Sequence, residues 1–139
     1  MSKIYTIIAA GGLGKRLQNY GNNKKTKMLL EINGQTMISK QLNQLISWGL
    51  ENFIVITNPK FDKLIQDELN KQMPNLDIQY SLQKEQLGVA HALLQAEDKV
   101  PEDAKILYIL GDNFFEFNPI IDLDISTPNS SIFLTKVSN

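Results

Sequence analysis

Three glycines, Gly11, Gly12 and Gly14, follow directly on an apolar stretch and are themselves followed by two cations, Lys15 and Arg16, in the run IAAGGLGKRL over residues 8–17. Glycine lets backbone approach a guest closely and admits positive φ, while ammonium and guanidinium groups supply fixed charge. A guest that needs both is an anion with several oxygens, and a phosphate is the first candidate. Other residues with chemistry to offer stand just beyond later apolar runs: Gln83 after DIQYSL, and Gly111, Asp112 and Asn113 after KILYIL.

The elements that must position these residues alternate regularly. KIYTIIAA (3–10) is β-branched and almost wholly apolar, as a strand covered on both faces should be. MLLEI (28–32) reads as a short extended piece. Met37, Ile38, Leu42, Leu45 and Ile46 share one helical stripe, with Thr36 placed to cap its start and Gly49 its end. NFIVIT (52–57) is a second buried strand. Asn58 and Pro59 form a cap and first-turn pair for a helix lined by Phe61, Leu64, Ile65 and Leu69. DIQYSL (77–82) alternates like a third strand, a helix is expected from Gly88 to about Glu97, and KILYIL (105–110) is a fourth strand. Asn118 and Pro119 open a short turn, and SIFLTKV (131–137) reads as a last strand.

Strand and helix in alternation predict right-handed crossovers and an α/β fold: a Rossmann-like three-layer sandwich with a mainly parallel central sheet. Ligands on such sheets bind beyond the carboxyl ends of the strands, near a topological switch point. The glycine run, Gln83 and Asp112 all stand at such ends. At 139 residues the chain is one domain's worth, 1–139, with no repeat or linker.

Composition narrows the function. Fourteen Lys and Arg against fifteen Asp and Glu leave a net charge of -1, which argues against a general nucleic-acid binder, so phosphate affinity must be local. The absence of cysteine excludes disulfides, thiolate metal sites and cysteine nucleophiles. With no apolar run of membrane-spanning length and no leader-like start, a cytoplasmic protein without membrane contact is expected.

Three glycine-loop chemistries compete. A P-loop requires Ser or Thr after Gly-Lys, where Arg16 stands. A dinucleotide fingerprint built on Gly12 and Gly14 requires a glycine at position 17, where Leu17 stands, and the acidic residue expected about 20 residues on is poorly supplied by Glu31. The third draws on stretches spread along the chain: GGLGKRL, Lys27 in TKMLLEI, LQKEQLGVAHAL and LGDN, in that order. Together these resemble the sugar-1-phosphate nucleotidylyltransferases, most nearly the glucose-1-phosphate thymidylyltransferases, from residue 3 to 139.

What this resemblance implies falls on particular residues. Backbone at Ala10, Gly11, Gly12 and Gly14 would meet the nucleotide's sugar and phosphates, and Arg16 would hold the triphosphate. Lys27 would bridge the phosphates of both substrates; Arg16 and Lys27 are thus the catalytic candidates. Gln83 would bond a pyrimidine edge beside Gly88, favouring dTTP, then UTP, and Asp112 would bind Mg²⁺. The partners are then a nucleoside triphosphate and a sugar 1-phosphate, with association into a homo-oligomer through later segments. A sugar phosphate is already an anion, so the transfer needs positioning and charge neutralisation rather than a general base, and the lack of a His or Ser nucleophile is expected.

Each residue also has a duller reading: a tight turn for the glycines, solvated charge for Lys15, Arg16 and the KKTK lysines, turn chemistry for Gly-Asp-Asn, and a structural or surface role for His91. The sequence departs from the family at Lys15, where a small hydroxyl residue is usual. Family members also continue well beyond SIFLTKV into segments that carry most sugar contacts and a second metal-binding aspartate. Two alternatives to a transferase remain, a module that holds a nucleotide without transferring it and a dinucleotide-dependent oxidoreductase.

Overall fold

A computed structural model describes residues 3–14, 26–123, 126 and 130–132. In chain order the elements are β1 (Ile4–Ala9), a 3-10 turn (Lys27–Leu29), β2 (Glu31–Ile32), β3 (Gln35–Thr36), α1 (Met37–Ser47), β4 (Asn52–Thr57), α2 (Asp62–Gln72), β5 (Ile78–Leu82), α3 (Val89–Leu94), a second 3-10 turn (Glu97–Lys99) and β6 (Lys105–Leu110). Four strands form one parallel sheet in the order β5-β4-β1-β6.

Alternation along each strand sends its side chains to opposite faces, and both faces are covered. Ile8, Phe53 and Val55 pack with Ile38, Leu42 and Leu45 of α1 and Ile65 and Leu69 of α2. Ile7, Ile54 and Ile56 face the other way, onto Ala92 of α3 and Ala96. The steps from β1 to β4 and from β4 to β5 run in one direction across the sheet, whereas the step from β5 to β6 returns past β1. With right-handed crossovers that reversal puts α3 on the opposite face from α1 and α2. The expected three-layer α/β sandwich with its parallel sheet is therefore what forms.

Local expectations hold where the determinants lie within a few residues. Thr36 is the N-cap of α1, its Oγ1 accepting from Ser39 N at 3.4 Å, and Gly49 follows the helix at φ 83°. Asn118 Oδ1 accepts from Ile120 N in the turn at Pro119.

Four details differ, one of them the helix expected to reach about Glu97, which ends at Leu94 and gives way to a separate 3-10 turn. MLLEI is not extended throughout, because a 3-10 turn capped by Thr26 takes in Met28 and Leu29, and only Glu31–Ile32 is strand. That strand pairs with Gln35–Thr36 through Asn33 (φ 55°) and Gly34 (φ 79°), a two-residue turn whose Asn-Gly pair is a strong hairpin signal. Asn58 and Pro59 belong to a turn ahead of α2 rather than to its first turn: Asn58 Oδ1 accepts from Lys60 N and Phe61 N, and the helix starts at Asp62. Leu64 faces solvent from α2, so that helix buries a narrower stripe than its apolar residues suggest. Of the expected strand SIFLTKV, residues 133–137 lie outside the described residues.

Tyr80 on β5 packs against the core with its hydroxyl buried and without a partner among the described residues. Burial, assisted by the Asp62 carboxylate, pushes its phenol up to about 12. A folded-state value above the usual 10.0 means the native protein holds this proton more tightly than the unfolded chain, so the contribution is present below pH 10 and lost as pH rises to about 12. Tyr80→Phe should be neutral or more stable by about 1 kcal/mol at pH 7, since it removes an unpaired hydroxyl. Its urea midpoint should also fall less steeply than that of the parent between pH 10 and 12; a parallel fall of the two would contradict this.

Candidate active site

The strand order reverses at β1, which has β4 on one side and β6 on the other, and such a reversal opens a crevice beyond the strands' carboxyl ends. Backbone pairing continues past the strands and holds the exits side by side. Ala10 N donates to Ile56 O at 2.8 Å, Gly111 N to Ala9 O at 2.9 Å, and Gln83 N to Thr57 O at 2.8 Å. The glycine loop, the Gly-Asp-Asn turn and Gln83 thereby converge although they are far apart in sequence.

They enclose a cleft of about 270 Å³ whose walls include Ala10, Gly11, Gly12, Gly14, Lys27, Gln83, Gly88 and Asp112. Every expected site residue within the described part of the chain stands in this one cleft. Arg16, with Lys15, lies outside the described residues.

The glycines serve different ends. A Cβ at Gly11 would lie 3.2 Å from Gln83 Oε1, so packing within the protein already favours its absence. Among the described residues nothing lies within 4 Å of a Cβ at Gly12, and its φ is not positive. Neither packing within the described residues nor backbone strain asks for glycine there, and the bare main chain leaves room for close approach of a guest. Gly88 sits at φ 99°, ψ -179°, a region open only to glycine, and so turns the chain from β5 into α3.

Lys27 rides on the 3-10 turn, anchored by buried Met28 and Leu29. Its Nζ makes an ion pair with Asp112 Oδ2 across the cleft, the two side chains 36% and 38% exposed. A pair this accessible stabilises a fold by about 0–1 kcal/mol at most. Its significance is therefore the placing of an ammonium and a carboxylate side by side on the cleft wall.

Gln83 is 4% exposed, and its amide is oriented from both sides. Nε2 donates to Gly88 O at 3.2 Å and lies 3.2 Å from His91 Nδ1. A carbonyl can only accept, so the amide nitrogen belongs on that side, and it can donate to His91 as well when Nδ1 carries no proton. The amide oxygen is left facing Gly11. His91, expected to be structural or at the surface, therefore backs a residue of the cleft. Tyr108 also lines it, donating from Oη to Val89 O at 2.8 Å at the start of α3, and burial raises its phenol. No sequence pattern marked Tyr108, because an aromatic in a buried strand looks the same whichever way it faces.

Among the described residues no group of three or more His, Asp or Glu is arranged to hold a metal. A single carboxylate such as Asp112 suits Mg²⁺, which keeps waters and takes its remaining oxygens from phosphates. No helix among the described residues is long and apolar enough to cross a membrane.

Comparison with known proteins agrees with this geometry. The chain is 34% identical over 112 residues to a UTP–glucose-1-phosphate uridylyltransferase, AglF, of Haloferax volcanii, covering 81% of this chain and 44% of that protein. It is 28% identical to the bifunctional protein GlmU of Thermoanaerobacter pseudethanolicus, covering 99% of this chain and 29% of the relative. A crystal structure from Bacillus anthracis assigned as a glucose-1-phosphate thymidylyltransferase superposes with a TM-score of 0.72 at 29% identity, over 84% of this chain and 47% of the other. The chain thus spans less than half the length of these relatives. The sequence profile described as nucleotidyl transferase matches residues 5–139. Because that match takes in the sheet and the whole cleft, the chain belongs to the nucleotidyl transferase family.

Proposed function

We propose that this domain binds a uridine or thymidine triphosphate together with Mg²⁺ and serves the transfer of its nucleotidyl group to a sugar 1-phosphate. The observation that carries the reading is the meeting of bare backbone, an ammonium, an oriented amide and a carboxylate in one cleft at the switch point. In the reaction an oxygen of the sugar phosphate attacks the α-phosphorus, a new P–O bond forms, and the bond from that phosphorus to the bridging oxygen breaks as pyrophosphate leaves. No proton need move. What opposes the step is repulsion between anions, and fixed positive charge lowers it.

The backbone of Ala10, Gly11, Gly12 and Gly14 would lie along the nucleotide's sugar and phosphates. Arg16 and Lys27 would neutralise phosphate oxygens, Lys27 by exchanging its contact with Asp112 for a stronger one. Asp112 would hold Mg²⁺, which when bound supplies further neutralisation of the triphosphate.

The amide oxygen of Gln83, which the contacts to Gly88 and His91 do not use, would accept from a ring N–H. Uracil and thymine offer N3–H, whereas cytosine offers an acceptor at N3. Uracil and thymine present the same edge, so the reading covers both UTP and dTTP. Because the chain spans less than half of its relatives, there is a second reading, in which it holds the nucleotide and completes transfer only with further residues.

Calorimetric titration with dTTP, UTP, CTP, ATP and NADH in Mg²⁺ tests the binding half. UTP and dTTP should bind at least about tenfold more tightly than CTP, the scale of one mismatched hydrogen bond. Absence of binding by either would overturn the proposal, and saturable NADH binding would favour oxidoreductase chemistry instead. Pyrophosphate release with glucose 1-phosphate then separates the two readings: release supports transfer by this chain, and binding without release supports the holding module.

A further inference from the structure

The buried stripe of α1 contains a residue that hydrophobic packing does not explain. Ile38, Leu42 and Leu45 are fully buried, and among them Gln41 is only 1% exposed. Its Nε2 donates to Leu110 O at 2.9 Å and to Asn113 O at 2.8 Å, while its Oε1 is buried with no partner among the described residues. One turn on, Gln44 Nε2 donates to Phe115 O at 2.6 Å and Phe115 N donates to Gln44 Oε1 at 3.4 Å. The Phe115 ring meets Trp48 edge to face, centroids 5.8 Å apart.

All of these contacts grip one segment, from Leu110 at the end of β6 to Phe115, and residues 111–115 have no strand or helix of their own. Asp112 stands in its middle. The two carbonyls that Gln41 holds are those of the residue before Gly111 and the residue after Asp112, so a single buried amide spans the turn that aims the carboxylate.

An apolar residue of the same length would fill the stripe without burying an unpaired acceptor. After truncation of the amide, Leu110 O would still accept from Asn113 N at 3.0 Å, and Asn113 is itself an exposed residue. Stability therefore gives little reason for a glutamine at this position. We infer that Gln41, assisted by Gln44, is a positioning residue for Asp112: the amide fixes the height of the carboxylate in the cleft without touching any substrate. This rests on the reading of Asp112 as the residue that meets Mg²⁺ and the triphosphate.

The test compares the parent chain with Gln41→Met, Asp112→Asn and the double variant. Gln41→Met should keep or raise the thermal midpoint, yet speed amide hydrogen exchange at residues 111–115 at least about tenfold relative to β1 and β4. In dTTP titrations at graded Mg²⁺, the free Mg²⁺ needed for half-saturation should rise about tenfold, with affinity in the absence of Mg²⁺ unchanged. In the Asp112→Asn background Gln41→Met should add no further rise. An equal loss of affinity with and without Mg²⁺, or a loss that persists in that background, would show a general structural role and overturn the inference. Hydrogen exchange needs no nucleotide, so absence of dTTP binding by the parent would defeat the functional reading while unchanged protection at 111–115 would defeat the clamp. If Gln41→Met does not fold, Gln44→Met at a half-buried position should shift exchange and Mg²⁺ dependence in the same direction by a smaller factor.

Discussion

Lys27→Met should weaken dTTP binding in Mg²⁺ by about a hundredfold, or roughly 2.7 kcal/mol, while leaving the stability of the domain within about 0.5 kcal/mol of the parent. Methionine keeps much of the length of the lysine stem and removes only the charge. A unit charge 4 Å from a phosphate oxygen interacts by about 4 kcal/mol at the effective dielectric of a protein surface. Against this stands the contact with Asp112 that Lys27 gives up when the nucleotide arrives, worth about 0–1 kcal/mol because both side chains are more than a third exposed. The difference leaves about 3 kcal/mol for the triphosphate. Calorimetry with dTTP and urea titration of the same variant read the two quantities separately. A loss of less than about threefold would remove Lys27 from the phosphate site.

Gly111→Val is expected to destabilise the domain by about 3 kcal/mol, through overpacking at the floor of the cleft. A Cβ at this position would lie 2.5 Å from Met28 Sδ and 2.9 Å from Ala9 O. The sulfur belongs to a buried side chain, and the carbonyl belongs to β1, where it accepts from Gly111 N itself. Relief thus requires either displacing Met28, which anchors the turn carrying Lys27, or breaking the ladder between β1 and the exit of β6. The urea midpoint should drop and dTTP affinity should fall with it. Gly12→Ala provides the contrast, since its Cβ would meet none of the described residues: stability should stay within about 0.5 kcal/mol while nucleotide affinity falls. Equal destabilisation by the two variants would mean that both glycines serve packing alone.

The two glycines illustrate how far the residues spoke for themselves. In sequence, Gly12 and Gly111 look alike: each stands within three residues of the end of an apolar strand. Only their surroundings separate them, because the reason for one is a methionine from another segment and the reason for the other is bare main chain on the cleft wall. Gln41 stands at stripe spacing from Ile38 and Leu45, yet nothing in the sequence singled it out. Its partners were no more visible, since they stand 69 and 72 positions further along the chain.

By contrast, β4 and β6 appear with the limits their composition suggests, and β1 and β5 differ only by a single residue at one or both ends. Buried parallel strands need unbroken apolar runs, and that demand is written locally. The hairpin of β2 and β3 was just as local, in Asn33 and Gly34, but its strands are two residues long and carry no alternation to read.

The sequence by itself determined the order of the four sheet strands and the three helices, the capping of α1, the family and the kinds of chemistry available, because each depends on contacts within a turn or two or on residues kept in a recognisable order. Tertiary structure alone decided that Lys27 would face Asp112, 85 residues away, that Gly88 and His91 would turn the Gln83 amide oxygen toward Gly11, and that α1 would grip the Asp112 turn. Those outcomes follow from the sheet order and from the reversal that carries β6 back past β1. Strand order is a global minimum over all crossovers, and no short stretch of chain encodes it.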